Sequence, residues 1–235
     1  MKVEYRIMAV KARREKYILS MLESLGESEN IVFYDEDRPK GQKTAMANAR
    51  KTWLAPSAAD SVCVLQDDLM LCNNFKSIIE ECATQFPNAI FSFYQPRLTY
   101  TDKSDQTPYL KITGCGTYGQ IIMIPTKMIP LVFYWIDRNL GSDYKHDDIA
   151  IGLFALTNDV PVMGVIPCPV QHLAHNDSEL GYNNINKVSK VFEYNIDVDQ
   201  FKTNKYVKSK SIPNSSILPK GGYPLGKLVP LRDLL

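Results

Sequence analysis

Apolar runs and helical periodicities alternate along the first 94 residues, and this alternation restricts the fold more than any other feature of the chain. Tyr5 to Val10 is a short apolar run. Arg13 to Leu25 follows with Tyr17, Ile18, Met21, Leu22 and Leu25 at helical spacing, and Gly26 stops it. Ile31 to Tyr34 reads as a second strand, closed by Asp35-Glu36-Asp37. Thr44 to Leu54 reads as a second helix. Ser61 to Leu65 is nearly continuous in apolar character, as expected of a strand buried on both faces. Asn73-Asn74 is placed to cap a third helix from Phe75 to Gln85, and Ile90 to Tyr94 is a fourth strand. Such an order predicts an α/β fold with a mostly parallel sheet flanked by helices. Ligands of these sheets bind beyond the carboxyl ends of the strands, so the residues just after each strand carry the functional reading.

The second half is less regular. Arg97 to Thr113 is polar and turn-rich and suggests a hairpin. Gly119 to Pro125 reads as a strand, Lys127 to Asp137 and Asp148 to Asn158 as helices, and Val160 to Ile166 as a strand. From Pro167 onward the composition is that of loop. One domain over residues 1–200 with an irregular extension over 201–235 is the expected organisation. The whole chain carries a net charge of +1, yet residues 201–235 carry +6, leaving −5 on residues 1–200. A basic tail suits an anionic partner, and equally a solvated terminus. The N-terminus has no apolar signal-peptide core, and Pro125, Lys127 and Pro130 interrupt the most apolar stretch, so the protein is expected to be cytoplasmic with no membrane span. Five cysteines with no CxxC spacing read as reduced thiols that fill core space.

Two pairs of carboxylates stand out. Gln66-Asp67-Asp68 follows the buried third strand. Two acids there need a cation to offset the cost of burying charge, and Mg²⁺ or Mn²⁺ share carboxylates with substrate phosphates. The alternative is a pair of helix-dipole partners, but Asn73-Asn74 is already placed as the cap of the next helix. His146-Asp147-Asp148 opens a helix whose apolar face is Ile149, Ile151, Leu153, Phe154 and Leu156. Alone it reads as a dipole partner. Beside a first acid pair, it supplies a base where the first supplies a metal site. Val170-Gln171-His172-Leu173-Ala174-His175 follows a strand and holds two of the three histidines. Histidine suits a transition metal such as Mn²⁺. Thr113 to Gln120 holds three glycines in six residues, which permits close approach to a ligand, with Gly116 at its centre. Val10 to Arg14 and Tyr34-Asp35 follow strands, and Val10, Arg13 and Asp35 there suit a nucleotide's base and ribose, while Arg13, Lys43 and Arg50 could meet its diphosphate; surface charge is the plain alternative.

These motifs resemble those of GT-A glycosyltransferases, over residues 3–178 and in the family's order. Gln66-Asp67-Asp68 looks like the "DxD" motif with Gln66 in place of its first acid. The resemblance implies Asp68 as metal ligand and Asp67 near the ribose or the metal's water shell. Asp147-Asp148-Ile149 looks like the acidic motif of inverting members, which implies Asp147 or Asp148 as catalytic base. Val170-Gln171-His172 resembles the segment that returns a histidine to metal and diphosphate, with His175 the other candidate. The resemblance implies a GT-A, Rossmann-like fold, Mn²⁺ or Mg²⁺, and a nucleoside-diphosphate sugar, with UDP-sugar the expected donor. The small form looks more like a bacterial or phage enzyme than a Golgi one.

The function expected on this basis is metal-dependent transfer of a hexose to an acceptor hydroxyl with inversion. Phage GT-A enzymes that decorate hydroxymethylated pyrimidines in DNA are one precedent. Lys202, Lys205, Lys208 and Lys210 would then contact phosphates without reading sequence. A glycan or protein hydroxyl is the other acceptor class. A nucleotidyltransferase also uses carboxylates and Mg²⁺, but Ala9 to Arg14 lacks the glycine-rich phosphate loop it would want. A non-catalytic nucleotide-sugar or glycan-binding module is the third reading.

Overall fold

The structure is a computed structural model, and it describes residues 1–10, 15–35, 45–96, 98–112, 117–142, 144, 146–173, 188–209 and 228–235. Strand β1 (Val3–Ala9) buries Val3, Tyr5, Ile7 and Ala9 on one face. Helix α1 (Glu15–Leu25) buries Ile18, Met21, Leu22 and Leu25, the expected helical stripe. Gly26 ends α1 at φ +60°, and the Glu27 N–H closes back on the Leu22 carbonyl at 3.0 Å. Only glycine takes that conformation without a Cβ penalty. Strand β2 (Val32–Tyr34), helix α2 (Ala45–Trp53) and strand β3 (Ser61–Gln66) complete the first half-sheet. Then come strand β4 (Leu69–Leu71), helix α3 (Phe75–Gln85), strand β5 (Ile90–Ser92), strand β6 (Tyr109–Lys111) and strand β7 (Ile121–Pro125). Helices α4 (Ile129–Asn139) and α5 (Asp147–Thr157) precede strands β8 (Val162–Val165), β9 (Val170–His172) and β10 (Val207–Lys208).

Eight strands form one mixed sheet in the order β10-β6-β8-β5-β7-β3-β1-β2. Strands β1, β2, β3, β5 and β8 run one way; β7, β6 and β10 run the other. The expected α/β architecture with a mostly parallel, helix-flanked sheet is the one observed. Register aligns Met8 with Gln66 and Ala9 with Tyr34, so β1, β2 and β3 end at one level. A two-stranded ribbon, β4 with β9, stands apart from the main sheet.

The end of α2 is fastened by a buried cation. Arg6 on β1 is 1% exposed. Its guanidinium donates to the carbonyls of Thr52 (2.5 Å), Trp53 (3.2 Å), Ala55 (3.0 Å) and Pro56 (3.2 Å), and pairs with Glu4 at 2.6 Å. Carbonyls at a helix C-terminus lack intrahelical partners, and a planar five-donor cation supplies several at once.

Four sequence expectations are corrected. Among the described residues of 97–113 the expected hairpin is not formed: β6 pairs antiparallel with β8 and parallel with β10, both far along the chain. Asn74 stands at the N-terminal boundary of α3, but its side chain makes no cap and donates instead to the Ile196 carbonyl at 3.0 Å. Helix α5 has no narrow apolar stripe. Residues Ala150 to Ala155 are all buried, because α5 is enclosed by α2, α4 and their surroundings, while Leu156 is exposed. The region after Pro167 is mostly loop among the described residues, as expected, but it also contains β9 and β10, each too short to show periodicity. Cys63, Cys72, Cys82 and Cys168 are free, buried thiols, and burial pushes the Cys72 thiol up to about 12.

The last described stretches lie against the domain. Phe201 is fully buried, and β10 runs parallel to β6 at the sheet edge. The Trp135 indole donates to the Val229 carbonyl at 2.7 Å, and Asn139 and Asn158 accept the N–H groups of Val229 and Leu231 at 2.7 and 2.6 Å. Among the described residues no helix is long and apolar enough to cross a membrane.

Candidate functional site

Level strand ends gather three of the predicted nucleotide-side residues. The Val10 N–H donates to Asp67 Oδ2 at 2.7 Å, and the Asp35 N–H donates to the Ala9 carbonyl at 2.9 Å. Val10, Asp35 and Asp67 therefore meet where β1, β2 and β3 end. Asp67 is buried, and one of its oxygens holds the chain leaving β1.

Asp68 and His172 are joined by the ribbon. Register sets Leu69 opposite His172, and the Leu173 N–H donates to the Asp68 carbonyl at 2.8 Å. This pairing lays the two side chains together: His172 Nε2 lies 3.0 Å from Asp68 Oδ2, with both residues buried. The His172 ring also lies 5.8 Å from that of Tyr94, whose other neighbour is Tyr118 at 6.2 Å. His172 Nδ1 is buried and has no hydrogen-bond partner among the described residues. A buried imidazole nitrogen is rarely left so without a further ligand. Gln171 positions the strand end, because its Oε1 accepts the Ser189 N–H at 2.8 Å and its Nε2 donates to the Ser189 carbonyl at 3.1 Å.

Asp148 approaches Gln66, the residue before the first acid pair, across Gly119. Gln66 donates its N–H to the Gln120 carbonyl at 2.9 Å, which extends β3 alongside the chain entering β7. A Cβ on Gly119 would lie 3.2 Å from Asp148 Cβ and 3.3 Å from Gln66 Nε2, so Gln66 and Asp148 flank one glycine. A Cβ there would be tight against both, so Asp148 or Gln66 would have to give by a few tenths of an ångström. Asp148 Oδ1 accepts the Ile149 N–H at 2.8 Å, Oδ2 accepts the Gly119 N–H at 3.3 Å, and the Asp148 carbonyl accepts the Thr117 hydroxyl. Ser92 Oγ takes the Tyr118 N–H at 3.0 Å.

Asp147 differs from its neighbour. Its carboxyl is densely enclosed although the residue keeps partial exposure, and its pKa is pushed up to about 7. Burial is the main cause and the Asp148 carboxylate adds to it; nearby backbone N–H groups and the Trp53 indole work the other way. A carboxyl that titrates near neutrality is suited to proton transfer.

Arg50 has another occupation. Its guanidinium pairs with Asp137 at 2.5 Å and lies over the Phe133 ring, tying α2 to α4. Lys202 pairs with Asp199 at 2.7 Å. Arg13, Lys43, Gly116, His175 and Lys210 lie outside the described residues. Gln171 enters the sequence reading only within the Val170-Gln171-His172 segment, and Tyr94, which lies beside His172, only as the end of the fourth strand.

Asp68 and His172 supply an oxygen and a nitrogen donor of the kinds that Mn²⁺ accepts, and the unpartnered His172 Nδ1 fits a site built to hold more than the protein alone supplies. Among the described residues no three His, Cys, Asp or Glu side chains gather to hold a metal, so further donors would come from substrate phosphate and water.

No protein-family model matches the chain, and no curated protein matches it. Among solved structures it is similar to a Drosophila β1,4-galactosyltransferase 7 mutant in complex with manganese, UDP-Gal and xylobiose, at 11% identity and a TM-score of 0.42, over 85% of this chain and 84% of that one. It is also similar to the catalytic domain of Drosophila β1,4-galactosyltransferase 7 in complex with xylobiose, at 12% identity and a TM-score of 0.37, over 82% of this chain and 72% of that one.

Proposed function

We propose that this protein is a GT-A-type, metal-dependent glycosyltransferase that moves a sugar from a nucleoside-diphosphate sugar to an acceptor hydroxyl with inversion. One observation carries the reading. Across Gly119, Asp148 comes up to Gln66, the residue that precedes the Asp67-Asp68 pair; the first acid pair lies beside a buried histidine, and in the second, burial and the Asp148 carboxylate raise the pKa of Asp147.

The corner formed by Val10, Asp35 and Asp67 would take the nucleoside. Asp68 and His172 would hold Mn²⁺ or Mg²⁺, which when bound supplies neutralising charge at the donor diphosphate. Asp147 is the base: its carboxylate takes the proton of the acceptor hydroxyl as that oxygen attacks the anomeric carbon. Asp148 holds the Gly119 N–H and, in the first turn of α5, the Ile149 N–H, so its part is to fix Asp147 in place. A base on the acceptor side, opposite the leaving diphosphate, gives inversion.

Screening nucleotide sugars by thermal shift, with and without Mn²⁺, tests donor binding. A donor at about 100 times its Kd should raise stability by roughly 2.7 kcal/mol, and only with metal. Asp147→Asn should keep that shift and lose transfer by about 10²–10⁴-fold, the usual worth of a positioned base. Release of free nucleoside diphosphate marks a transferase. Pyrophosphate instead would mark a nucleotidyltransferase, and neither product a binding module. An acceptor panel of hydroxymethylated DNA, glycans and peptides then assigns the hydroxyl; a DNA acceptor would show a steep fall in affinity with salt.

A further inference from the structure

Gln66 ends β3 and Gln120 stands just ahead of β7. Register sets Leu65 opposite Ile121, and the Gln66 N–H donates to the Gln120 carbonyl at 2.9 Å, so the two glutamines face each other across the ladder. Residues directly opposite in an antiparallel pair put their side chains on one face. It is the face on which α5 begins, because Gln66 Nε2 and Asp148 Cβ both lie within 3.3 Å of where a Gly119 Cβ would stand. Parallel register adds Met8 of β1 beside Gln66, a side chain with no strong donor or acceptor. Both glutamines are half-buried. Gln120 Oε1 is closed off from water and accepts no hydrogen bond among the described residues. The Gln66 carboxamide likewise makes none among them. A glutamine kept for the fold bonds its neighbours, and a buried amide oxygen without a donor forfeits its hydration. Two amides side by side, one with an unused buried acceptor, suit a ligand that brings its own donors.

We infer that Gln66 and Gln120 read the sugar ring of the donor: Gln120 Oε1 accepts from a hydroxyl of the transferred sugar, and the amide nitrogens donate to its oxygens. The inference rests on the transferase reading above. Position supports it. Asp67 and Asp68, next on the chain after Gln66, are the donor-side acids of that reading, and α5, across Gly119, carries the proposed base. The sugar moves from the first side to the second, and the amide pair stands between. Chemistry narrows the sugar. A carboxamide carries no charge at neutral pH and serves only as donor and acceptor. Hydroxyls match both roles. A carboxylate on the sugar would meet Asp148, one glycine's width from Gln66, where like charges repel. The transferred sugar is therefore neutral, a hexose with free hydroxyls and not a uronic acid.

Titration calorimetry of the whole protein in Mn²⁺ compares UDP with UDP-glucose, UDP-galactose and UDP-glucuronic acid, and GDP with GDP-mannose. In the wild type a neutral hexose should tighten binding over its bare nucleotide by about three- to tenfold, the usual worth of a hydrogen bond or two between neutral groups, and glucuronic acid should not. Gln120→Leu nearly keeps the volume and removes the amide. It should bring the nucleotide sugar to within about twofold of the bare nucleotide, whose own Kd should stay as it was. A second measurement needs no ligand. Gln120 Oε1 has no partner to lose, so ligand-free Gln120→Leu should melt at or above the wild type. A variant that melts lower has lost a structural hydrogen bond, and one that keeps the sugar's increment has lost nothing the sugar used; either result overturns the inference. So does a wild type that holds UDP-glucuronic acid more tightly than the neutral sugars. In each of these cases the protein still binds a donor and the transferase reading stands. A wild type that binds none of the six ligands sinks that reading, and the inference with it.

Discussion

The two adjacent aspartates at the start of α5 divide their labour by environment. Asp148 has its carboxyl occupied by the Gly119 and Ile149 N–H groups. Asp147 is enclosed beside another carboxylate, and its pKa rises to about 7. A raised acid pKa has a definite consequence for stability. Below the unfolded value, near 3.8, both states carry the proton; between that value and about 7 only the folded state does, so stability falls as pH rises through this window and levels off above it. Asp147→Asn removes the ionisation. The variant should therefore be more stable than the wild type at pH 8 by about 1–3 kcal/mol, with the gap closing as pH falls to 5. Denaturant midpoints of both proteins at the two pH values measure it. A variant less stable at pH 8 would mean that the ionised carboxylate is well solvated and no burial penalty exists.

Among the elements, the β4–β9 ribbon is the one on which the proposed metal site depends. Each strand has three residues, too few to be stable without support, and a one-residue slip would turn His172 away from Asp68. Support comes from the Gln171 side chain, which pairs with both backbone groups of Ser189 as a neighbouring strand would. Gln171→Ala should loosen this end of the ribbon at a cost of about 1–3 kcal/mol, from two buried-side hydrogen bonds. Metal-dependent donor binding should weaken while metal-independent thermal stability changes little more than that. Isothermal titration of donor with and without Mn²⁺ separates the two. An unchanged metal-dependent affinity would show that the ribbon holds its register without Gln171.

For the molecule as a whole, the C-terminus closes over α4 and α5 although the basic composition of residues 201–235 suggests solvation. Residues 228–235 supply Val229 to the Trp135 indole, Leu231 to Asn158 and the Leu234 carbonyl to the Tyr134 hydroxyl. Helix α5 carries both aspartates, so residues 228–235 brace, at Asn158 just past its end, the helix that carries the proposed base. Deleting residues 228–235 should lower the melting temperature by several degrees, as expected from losing about 2–4 kcal/mol in a chain of this size, and should lower transfer more than donor binding. If the truncated protein melts with the full chain, the tail is an adjunct and not a brace.

The strand and helix alternation, the apolar character of β3, the helical stripes of α1 and α3 and the two acid pairs were all legible in the chain, because each is a local pattern of spacing or charge. Their meeting was not. Gly119 separates Asp148 from Gln66 by the width of a missing side chain, and nothing local marks which glycine of that stretch does so. Asp68 and His172 are 104 residues apart, and a three-residue register brings them to 3.0 Å. Periodicity is written in neighbours a few residues apart, so sequence carries it. The pKa of Asp147, the engagement of Asp148 and the partner of His172 depend on which distant groups share a small volume, and the packing of the sheet, the ribbon and α5 alone decides that.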